Sequence, residues 1–491
     1  MLSTTTDLKR DASRPAIFLE TFGCQMNILD SELVQSQFKS AGYEFVDSFE
    51  KADVVLLNTC SVRDLSEQKI LSRLGLIKER KDKGEKVVVG ILGCMAERAH
   101  EELLQKRSYI DVIVGPSKLF DTKALIEKAW NEHGKFKTKT SLSYFVKRKG
   151  NLEAVGSSPM DDLEILDRSR QISNQDHPWQ AYVRITRGCN KFCSFCVVPR
   201  TRGPEMHRPL YSIIDEVKKL TDDGAKEVTL LGQTINHYFY EEKGKRQSFA
   251  DLLFQIHESV PHLPRLRFLT SYPRDFTDEM LDVMASCERI CRYLHIPAQS
   301  GSDKILKAMN RGYSVEQYLT LIEKAKNRMP DISIIGDMIV GFPGEEEEDF
   351  LKSLELLRMV RYKNVFVFKY SKRPDTVAYK RFGDEIPAEI KKERNNAMLA
   401  LQNEISHELH KKMIGREYFI LCEGISKLQR DEGDALIDLR TKSSSYREKF
   451  MGRTAGDHIV HFSNCKASPG DLLKAKITSA RSLSLDGEVI L

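Results

Sequence analysis

The chain has 491 residues, of which 41% are hydrophobic and 30% are charged, and its formal net charge is +5. This composition is typical of a soluble globular protein with about two to four domains, and the small positive charge permits a nucleic-acid partner without requiring one. No apolar run approaches the roughly 20 residues needed to span a bilayer, so we expect no membrane contact.

Cysteine usage and the N-terminal residues bear on the cellular compartment. The ten cysteines are too few and too unevenly placed for a disulfide scaffold, which favours a reducing cytoplasm. The first fifteen residues lack the apolar core of a secretory signal. They are rich in Ser and Thr, so an organellar transit peptide stays open, although two acidic residues argue against it. The sequence therefore predicts a cytoplasmic protein.

The first 130 residues alternate short apolar runs with amphipathic segments. The predicted strands cover residues 16–21, 52–59, 86–92 and 111–115. The predicted helices cover residues 31–41, 64–83 and 96–106, and a fourth ends near residue 131. This alternation predicts a parallel sheet that is covered on both faces.

One cysteine follows each of the first three predicted strands: Cys24, Cys60 and Cys94. Ligands of an open parallel sheet bind beyond the carboxyl ends of its strands, so these residues would converge on one edge. Gly23 and Gly93 precede two of them and allow tight turns. The favoured interpretation is a three-thiolate iron–sulfur cluster with one open iron. The alternative is three core cysteines, since cysteine is commonly buried.

The segment from residue 133 to 178 lacks sustained periodicity and begins with many lysines. We predict a linker that contains a hairpin at most. Its basic residues either form a solvated surface or contact RNA phosphate.

Strand–helix alternation then resumes, with strands predicted at residues 181–186, 227–231, 266–270, 292–296, 333–340 and 365–370. A long helix is predicted at residues 388–412. Six such units predict a partial (β/α)6 barrel with its active site at the carboxyl ends of the strands. Beyond residue 415, short alternating strands at 416–426, 434–441, 458–462, 472–481 and 487–491 predict a small all-β barrel. Lys442, Arg447, Lys449 and Arg453 could form a basic patch on it.

Three more cysteines, Cys189, Cys193 and Cys196, follow the first strand of the partial barrel at C-x3-C-x2-C spacing. Three thiolates can bind a cubane cluster through three of its irons, whereas electron-carrying clusters are normally closed by four cysteines. The incomplete set therefore predicts substrate chemistry at an open iron. A zinc site is less favoured because zinc motifs usually pair two C-x2-C units or add a histidine pair. Three unrelated buried thiols remain the other alternative.

Arginines and carboxylates beside these loops have several interpretations. Arg200, Arg202 and Arg208 form a basic loop that is either solvated, in contact with phosphate, or a charge balance for the cluster. Glu345 opens an acidic run that we assign to the start of a helix, where the macrodipole favours carboxylates. Cys287 and Cys291, like the two C-terminal cysteines, are assigned to packing.

The cysteine loop resembles the signature of the radical S-adenosylmethionine (SAM) enzymes, with Phe195 just before the third cysteine. In that superfamily the open iron chelates the amino and carboxylate groups of SAM. TFGCQMNILDSE, ADVVLLNTCSVR and GILGCMAER are similar to the N-terminal domain of the methylthiotransferases, in which these cysteines hold an auxiliary cluster. GCQMN resembles the tRNA isopentenyladenosine branch, called MiaB. The ribosomal-protein branch typically reads GCPKN, and the threonylcarbamoyladenosine branch reads GCKVN.

The resemblance implies an order of domains and a set of SAM contacts. Residues 14–132 would hold the auxiliary cluster, 133–178 the linker, 179–412 the radical SAM domain, and 413–491 a TRAM-like RNA-binding domain. LLGQ, TSYP, HIPAQSGS and DMIVGFPGE resemble the family's substrate and SAM loops. They imply contacts from Gln233, Gln299 and Ser300, with Phe195 beside them. The family more often has His where this chain has Tyr272, and Ser where it has His207.

The implied cofactors are two [4Fe-4S] clusters and SAM. In the family scheme one cluster reduces SAM, and the resulting deoxyadenosyl radical acts at adenine carbon 2, whose C–H bond no side-chain base removes. The auxiliary cluster supplies sulfur, which a second SAM methylates. The implied product is a 2-methylthio group on N6-isopentenyladenosine at tRNA position 37.

The implied partners are the tRNA anticodon stem-loop and an electron donor such as flavodoxin or ferredoxin, and the expected state is a monomer. Two alternatives remain in the enzyme class, namely action on threonylcarbamoyladenosine or on a ribosomal-protein aspartate. A non-catalytic RNA-binding iron–sulfur sensor would need only one closed cluster and no SAM loop.

Overall fold

The computed structural model describes residues 14–61, 64–132, 159–170, 177–426, 449–463 and 465–490. The chain divides into two compact units. The first contains the chain up to residue 176 together with residues 187–190 and 197–206, and the second contains the remainder. Within the described ranges, no helix has both the length and the apolar character needed to cross a membrane.

A parallel sheet forms the centre of the first unit, in the strand order β1-β2-β3-β4. The strands are β1 Ile17–Phe22, β2 Val54–Thr59, β3 Val88–Gly93 and β4 Val112–Val114. Every residue of β2 and β3 is buried, which explains why both strands are continuous apolar runs in the sequence. Phe22, Thr59 and Gly93 lie side by side in the register, so the three strands end together.

Helices cover both faces of this sheet, as predicted. The helices of this unit are α1 Gln25–Ser40, α2 Asp64–Asp82, α3 Cys94–Lys106, α4 Thr122–Asn131, α5 Pro159–Ser169 and α6 Val198–Thr201. Apolar residues of α2 and α3 pack with Val55 and Val89 on one face. On the other face, α1 contacts β1 and β2 while α4 contacts β3 and β4.

Two local predictions for this unit were wrong. Helix α1 begins at residue 25 rather than residue 31, because Cys24 and Asn27 form a capping box that starts the helix before its apolar periodicity does. Helix α5 lies inside the segment predicted to contain a hairpin at most. Its proline start favours a helix N-terminus, and Leu163 and Leu166 are buried.

The second unit contains two parallel sheets that follow one another along the chain. In the described part they have the strand orders β9-β6-β5 and β10-β11-β12. Their strands are β5 Gln180–Arg184, β6 Glu227–Leu231, β9 Arg265–Phe268, β10 Tyr293–His295, β11 Ser333–Val340 and β12 Asn364–Lys369. A hairpin of β7 Phe239–Glu242 and β8 Lys245–Ser248 lies between β6 and β9 in sequence. All six predicted strands of the partial barrel are therefore confirmed.

The helices of this unit are α7 Leu210–Asp222, α8 Phe249–Ser259, α9 Asp278–Ser286, α10 Asp303–Ala308, α11 Val315–Arg328, α12 Glu347–Val360, α13 Val377–Arg381 and α14 Ala388–Lys411. The acidic run opens α12 as predicted, with three carboxylates in its first turn. Helix α14 is the predicted long helix, and it ends one residue earlier than expected.

A closed β-barrel ends the chain, as predicted, in the order β13-β14-β15-β17-β16. Its strands are β13 Glu417–Ile425, β14 Phe450–Thr454, β15 Ile459–Ser463, β16 Leu472–Ala480 and β17 Leu485–Val489. Strand β14 was not predicted, and the predicted strand at residues 434–441 lies outside the described residues. Ile420, Phe450 and Val460 belong to its apolar core.

This barrel contacts the central sheets where their strands begin. Arg265, the first residue of β9, donates to the carbonyls of Arg453 and Phe419, both at 2.8 Å. Ser333 begins β11 and lies 3.1 Å from a ring nitrogen of His458. The carboxyl ends of the same strands, which precede the predicted site loops, therefore lie at the other edge.

Candidate metal centres

The first unit brings Cys24, Cys60 and Cys94 together at the ends of three neighbouring strands, as the sequence predicted. Cys24 caps α1, Cys94 begins α3, and the backbone N–H of Cys60 donates to the carbonyl of Phe22 at 2.9 Å. Cys60 and Cys94 are buried and Cys24 is partly buried. The cysteines thus lie at one edge of one sheet, although they are roughly 35 residues apart in sequence.

The electrostatics of this site favour a metal-binding thiolate. A hydrogen bond from Cys60 is the largest cause that lowers the pKa of Cys24 to about 6, and the charge of Arg202 adds to it. Burial raises the pKa of Cys94, while Arg202 opposes that effect. Because the thiolate is the metal-binding form of cysteine, this donor set fits a soft metal centre.

A buried amide network supports the site, and our sequence analysis did not identify it. The side chain of Asn58 donates to the carbonyl of Asn27 at 2.8 Å and to Ser31 Oγ at 2.9 Å. Asn27 Nδ2 donates in turn to Asn58 Oδ1 at 3.2 Å. Asn27 lies three residues after Cys24 in GCQMN, and Asn58 lies two residues before Cys60 in NTC. This proximity to the cysteines was the signal available in the sequence.

Gly23 and Gly93 have a steric role beyond the predicted turns. A Cβ atom on Gly23 would lie 2.5 Å from Asn27 Oδ1, and one on Gly93 would lie 2.3 Å from Asn58 Oδ1. Gly93 also has a φ of +89°, which favours glycine. These glycines therefore allow the amide network to approach the cysteine backbone.

The arginines of the predicted basic loop have different environments. Arg202 is 4% exposed and pairs at 2.7 Å with Asp30, which is fully buried. Arg208 is also fully buried and pairs with Glu216 at 2.7 Å. Only Arg200 of the three is exposed. For the two buried arginines, the prediction of a solvated loop was wrong, whereas phosphate contact and charge balance for a cluster stay predictions.

The second cysteine loop follows β5, and the two units each contain part of it. In the first unit, the N–H of Cys189 donates to the carbonyl of Gly203 at 3.2 Å. In the second unit, the N–H of Cys196 donates to the carbonyl of Cys193 at 3.0 Å. Ser194 Oγ donates to the carbonyl of Ala308 at 2.8 Å, which fixes this part of the loop to the end of α10.

Arg311 is a second residue that the sequence analysis missed. Its Nη1 donates to Cys193 Sγ at 3.2 Å, and its Nη2 donates to the carbonyl of Pro297 at 3.1 Å. The guanidinium lies 4.6 Å from the ring centroid of Tyr272 and 5.3 Å from that of Tyr313. Tyr272, where the methylthiotransferase family more often has His, therefore packs against the guanidinium of Arg311, which itself donates a hydrogen bond to Cys193.

The four residues predicted to contact SAM lie in distinct surroundings in the second unit. Phe195 packs with an apolar cluster that includes Ile305. Gln233 is partly buried just after β6. Gln299 has a φ of +72°, and its backbone N–H donates to the carbonyl of Asp337 at 2.8 Å. Ser300 is 1% exposed and accepts the N–H of Ser302 at 3.2 Å.

A cavity of about 300 Å³ lies beside the same apolar cluster. Its lining comprises Lys304, Ile305, Ala308, Pro343, Gly344, Arg381, Phe382, Gly383 and Glu385. The residues predicted to contact SAM are not part of this lining, whereas the GFPG loop after β11 contributes two residues to it.

Similarity to known proteins extends over nearly the whole chain. The Radical SAM superfamily matches residues 183–357, and the family described as Uncharacterized protein family UPF0004 matches residues 16–115. A tRNA-2-methylthio-N(6)-dimethylallyladenosine synthase of Rhodopirellula baltica is 39% identical over 96% of this chain and 95% of its own length. The enzymes of the same name from Porphyromonas gingivalis and Bacteroides fragilis give the same identity and coverage.

A solved structure supports the fold. The radical S-adenosylmethionine methyltransferase TsrM of Kitasatospora setae, solved with cobalamin and a [4Fe-4S] cluster, has a TM-score of 0.51 and 15% identity. The similarity covers 74% of this chain and 77% of that one. Because the sequence relatives are much closer, they decide the family: the chain belongs to the tRNA-2-methylthio-N(6)-dimethylallyladenosine synthases of the radical SAM superfamily.

Proposed function

We propose that this protein is a tRNA methylthiotransferase that installs a 2-methylthio group on N6-isopentenyladenosine, which is the N6-dimethylallyladenosine of its relatives' name, at tRNA position 37. The observation that carries the proposal is the convergence of Cys24, Cys60 and Cys94 at one edge of a parallel sheet, in a chain that also has a radical SAM cysteine loop. The N-terminal cysteines would hold the sulfur source, and the cysteines of the radical SAM loop would hold the cluster at which the radical forms.

Each set would hold one [4Fe-4S] cluster, the first on Cys24, Cys60 and Cys94 and the second on Cys189, Cys193 and Cys196. The lowered pKa of Cys24 supports the first assignment, and the contact of Arg311 with Cys193 supports the second. Three thiolates leave one iron of a cubane open in each case. When bound, the clusters and SAM supply the radical that activates carbon 2 and the sulfur and methyl group that replace its hydrogen.

The side chains of the protein position these groups. Asn27 and Asn58 fix the N-terminus of α1, whose dipole favours the Cys24 thiolate. Arg311 would fix the orientation of the Cys193 thiolate. We assign Gln233, Gln299 and Ser300 to SAM contacts and Phe195 to packing beside SAM. The left-handed backbone of Gln299 supports this, since strained residues cluster at functional sites.

We assign the auxiliary cluster to residues 14–132 and the radical SAM domain to residues 179–412, with residues 133–178 as the linker between them. Residues 413–491 form the RNA-binding barrel. The barrel's predicted basic patch receives no support from its described part. Arg453 pairs with Glu423 and Asp457, and Lys449 pairs with Asp486. Lys442 and Arg447 lie outside the described residues.

The substrate is a tRNA, and we propose the part of it that is recognised, the electron donor and the oligomeric state. We assign recognition to the anticodon stem-loop, electron supply to a flavodoxin or ferredoxin, and the working state to a cytoplasmic monomer. The base carbon 2 must reach a site at the carboxyl ends of the strands, which fits an unpaired loop nucleotide because bases in loops can be turned outward.

An anaerobic iron and sulfide count tests the two-cluster assignment. Wild-type protein should hold about eight irons, and the Cys189/Cys193/Cys196→Ala variant about four, because each cubane contains four. The Cys287→Ala/Cys291→Ala variant is the matched control and should keep about eight. A wild-type count of about four that falls to none in the first variant would remove the auxiliary cluster and the proposal with it.

Nucleoside analysis tests the substrate. tRNA carrying N6-isopentenyladenosine should gain the 2-methylthio group when it is incubated with reconstituted protein, SAM and a reductant. The same tRNA without the isopentenyl group is the control. A product on threonylcarbamoyladenosine alone would contradict the assignment.

A further inference from the structure

Arg202 places a buried positive charge beside the N-terminal cysteines. It follows α6 and stands six residues after Cys196 in the sequence, yet it belongs to the first unit. Its positive charge acts to lower the pKa of both Cys24 and Cys94. The segment after the radical SAM loop therefore contributes directly to the surroundings of the other cysteine set.

The guanidinium keeps donor capacity that Asp30 does not use. Nη2 of Arg202 donates to Asp30 Oδ2 at 2.7 Å. Nη1 is buried and has no hydrogen-bond partner among the residues that the structure describes. Arginine has five N–H donors in a rigid fork, and a buried donor normally has a partner. The missing partner points to an anion that binds next to the cysteines.

The chemistry of the cluster indicates which anion this is. Three thiolates and the Asp30 carboxylate already make the site rich in negative charge. An additional anion on the open iron would be disfavoured in a buried site unless a cation paired with it. Arg202 is a cation in the position to do so, and soft iron–sulfur sites prefer sulfur ligands.

We propose that Arg202 binds the anionic sulfur ligand of the auxiliary cluster, a hydrosulfide or a small alkanethiolate, through its Nη1 group. This inference rests on the proposed function, because it requires a cluster on Cys24, Cys60 and Cys94. Arg202 is then a binding residue for the transferred sulfur, and Asp30 orients it and limits its net charge.

The test uses the full-length Cys189/Cys193/Cys196→Ala protein, in which the auxiliary cluster alone remains. The cluster is reduced and titrated with sodium hydrosulfide or with methanethiolate, and its electron paramagnetic resonance spectrum reports binding. Adding R202Q/D30N, which removes both charges of the pair together, should weaken binding of either anion at least about tenfold, since it removes a charge-assisted hydrogen bond. D30N alone leaves the arginine uncompensated and should tighten binding.

Imidazole is the neutral control ligand, and its binding should change little in either variant. A purely structural role of Arg202 would weaken imidazole and the anions equally, which would overturn the inference. Unchanged anion binding in R202Q/D30N would overturn it as well. An iron count that is near zero before any ligand is added would instead contradict the proposed function, so the two failures are distinguishable.

Discussion

At the scale of single residues, two arginines carry positive charge to the two cysteine sets. The charge of Arg202 acts on Cys94, and Arg311 donates a hydrogen bond to Cys193. Arg202 and Cys94 are 108 positions apart in sequence, and Arg311 and Cys193 are 118 positions apart. The tertiary fold brings both arginines near the cysteines. The sequence analysis gave charge balance for a cluster as one interpretation of Arg202 and did not identify Arg311.

Arg311 should raise the reduction potential of the cluster that we propose on Cys193. A hydrogen bond to a ligand sulfur stabilises the reduced, more negative state. Arg311→Gln should therefore lower the potential by an amount on the order of tens of mV. A redox titration monitored by electron paramagnetic resonance measures the shift. Tyr313→Phe is the control, because it removes only the hydroxyl that Arg311 Nε contacts at 3.0 Å, and it should shift the potential less.

Gly93 should be intolerant of a methyl group. Gly93→Ala would place Cβ within 2.3 Å of Asn58 Oδ1 and should displace the amide network behind the cysteines. We expect it to lose more than about half of the iron of the auxiliary cluster, since mispositioned ligands weaken metal affinity by about 10–100-fold. Gly84→Ala is matched in backbone, with a φ of +85°, but meets no atom within 4 Å. An equal iron content in the two variants would exclude the steric role.

At the scale of elements, the sequence predicts strands better than it predicts helix starts. Strands buried on both faces are continuous apolar runs, so β2 and β3 were identifiable directly. Helix α1 starts with polar residues that form a cap around Cys24, and apolar periodicity does not detect a cap. The convergence of the cysteines was predictable because parallel strands end at a shared edge. The hydrogen bonds between Asn27 and Asn58 were not predictable, since they depend on side-chain contacts between β2 and α1, although both residues lie close to the cysteines in sequence.

Glu345 connects the loop after β11 to helix α14. Its carboxylate accepts the N–H of Gly341 at 2.8 Å and pairs with Arg394 at 2.7 Å, and both side chains are buried. Glu345→Gln should destabilise the protein by about 2 kcal/mol, because it leaves part of the charge of Arg394 uncompensated. Thermal unfolding measures the loss. Glu348→Gln removes an exposed pair with Lys352 and one first-turn carboxylate, and it should cost less than about half as much stability as Glu345→Gln does.

At the scale of the whole molecule, the barrel is attached to the central sheets by buried charges. Asp457 of the barrel pairs with Lys363, just before β12, and with Arg453. Burial tends to raise the pKa of Asp457, but Lys363, Arg267 and Arg453 outweigh it and lower the pKa to about 2. The attachment of the barrel should therefore depend on this carboxylate being ionised.

The attachment should weaken in acid. A carboxylate whose pKa is depressed on folding stabilises the protein above its unfolded pKa, and this contribution disappears as the pH falls through the folded value. For Asp457 the window lies between about pH 4 and pH 2, and the contribution is about 2 kcal/mol. Trp179 lies against Gly470 of the barrel, so its fluorescence in a Trp130→Phe background reports attachment.

Asp457→Asn should remove this pH dependence and lower the stability at neutral pH. The control is Asp47→Asn, which affects an exposed pair with Lys51 in the first unit and should leave the Trp179 signal unchanged. If the wild-type signal were flat between pH 4 and pH 2, the barrel would be held by its apolar and backbone contacts alone.

The position of the barrel sets a minimum distance between the barrel and the loops at the carboxyl ends of the strands. It contacts the strands where they begin, at Arg265 and Ser333, whereas the cysteine and SAM loops follow the ends of the strands. A strand of five residues such as β6 is roughly 16 Å long at about 3.3 Å per residue. A tRNA held by both would have to run along the outside of the domain for at least that length. The distance between the barrel and these loops would then determine which base of the tRNA reaches the loops. A tRNA that is shortened between its two contact points would bind the barrel or the loops, but not both.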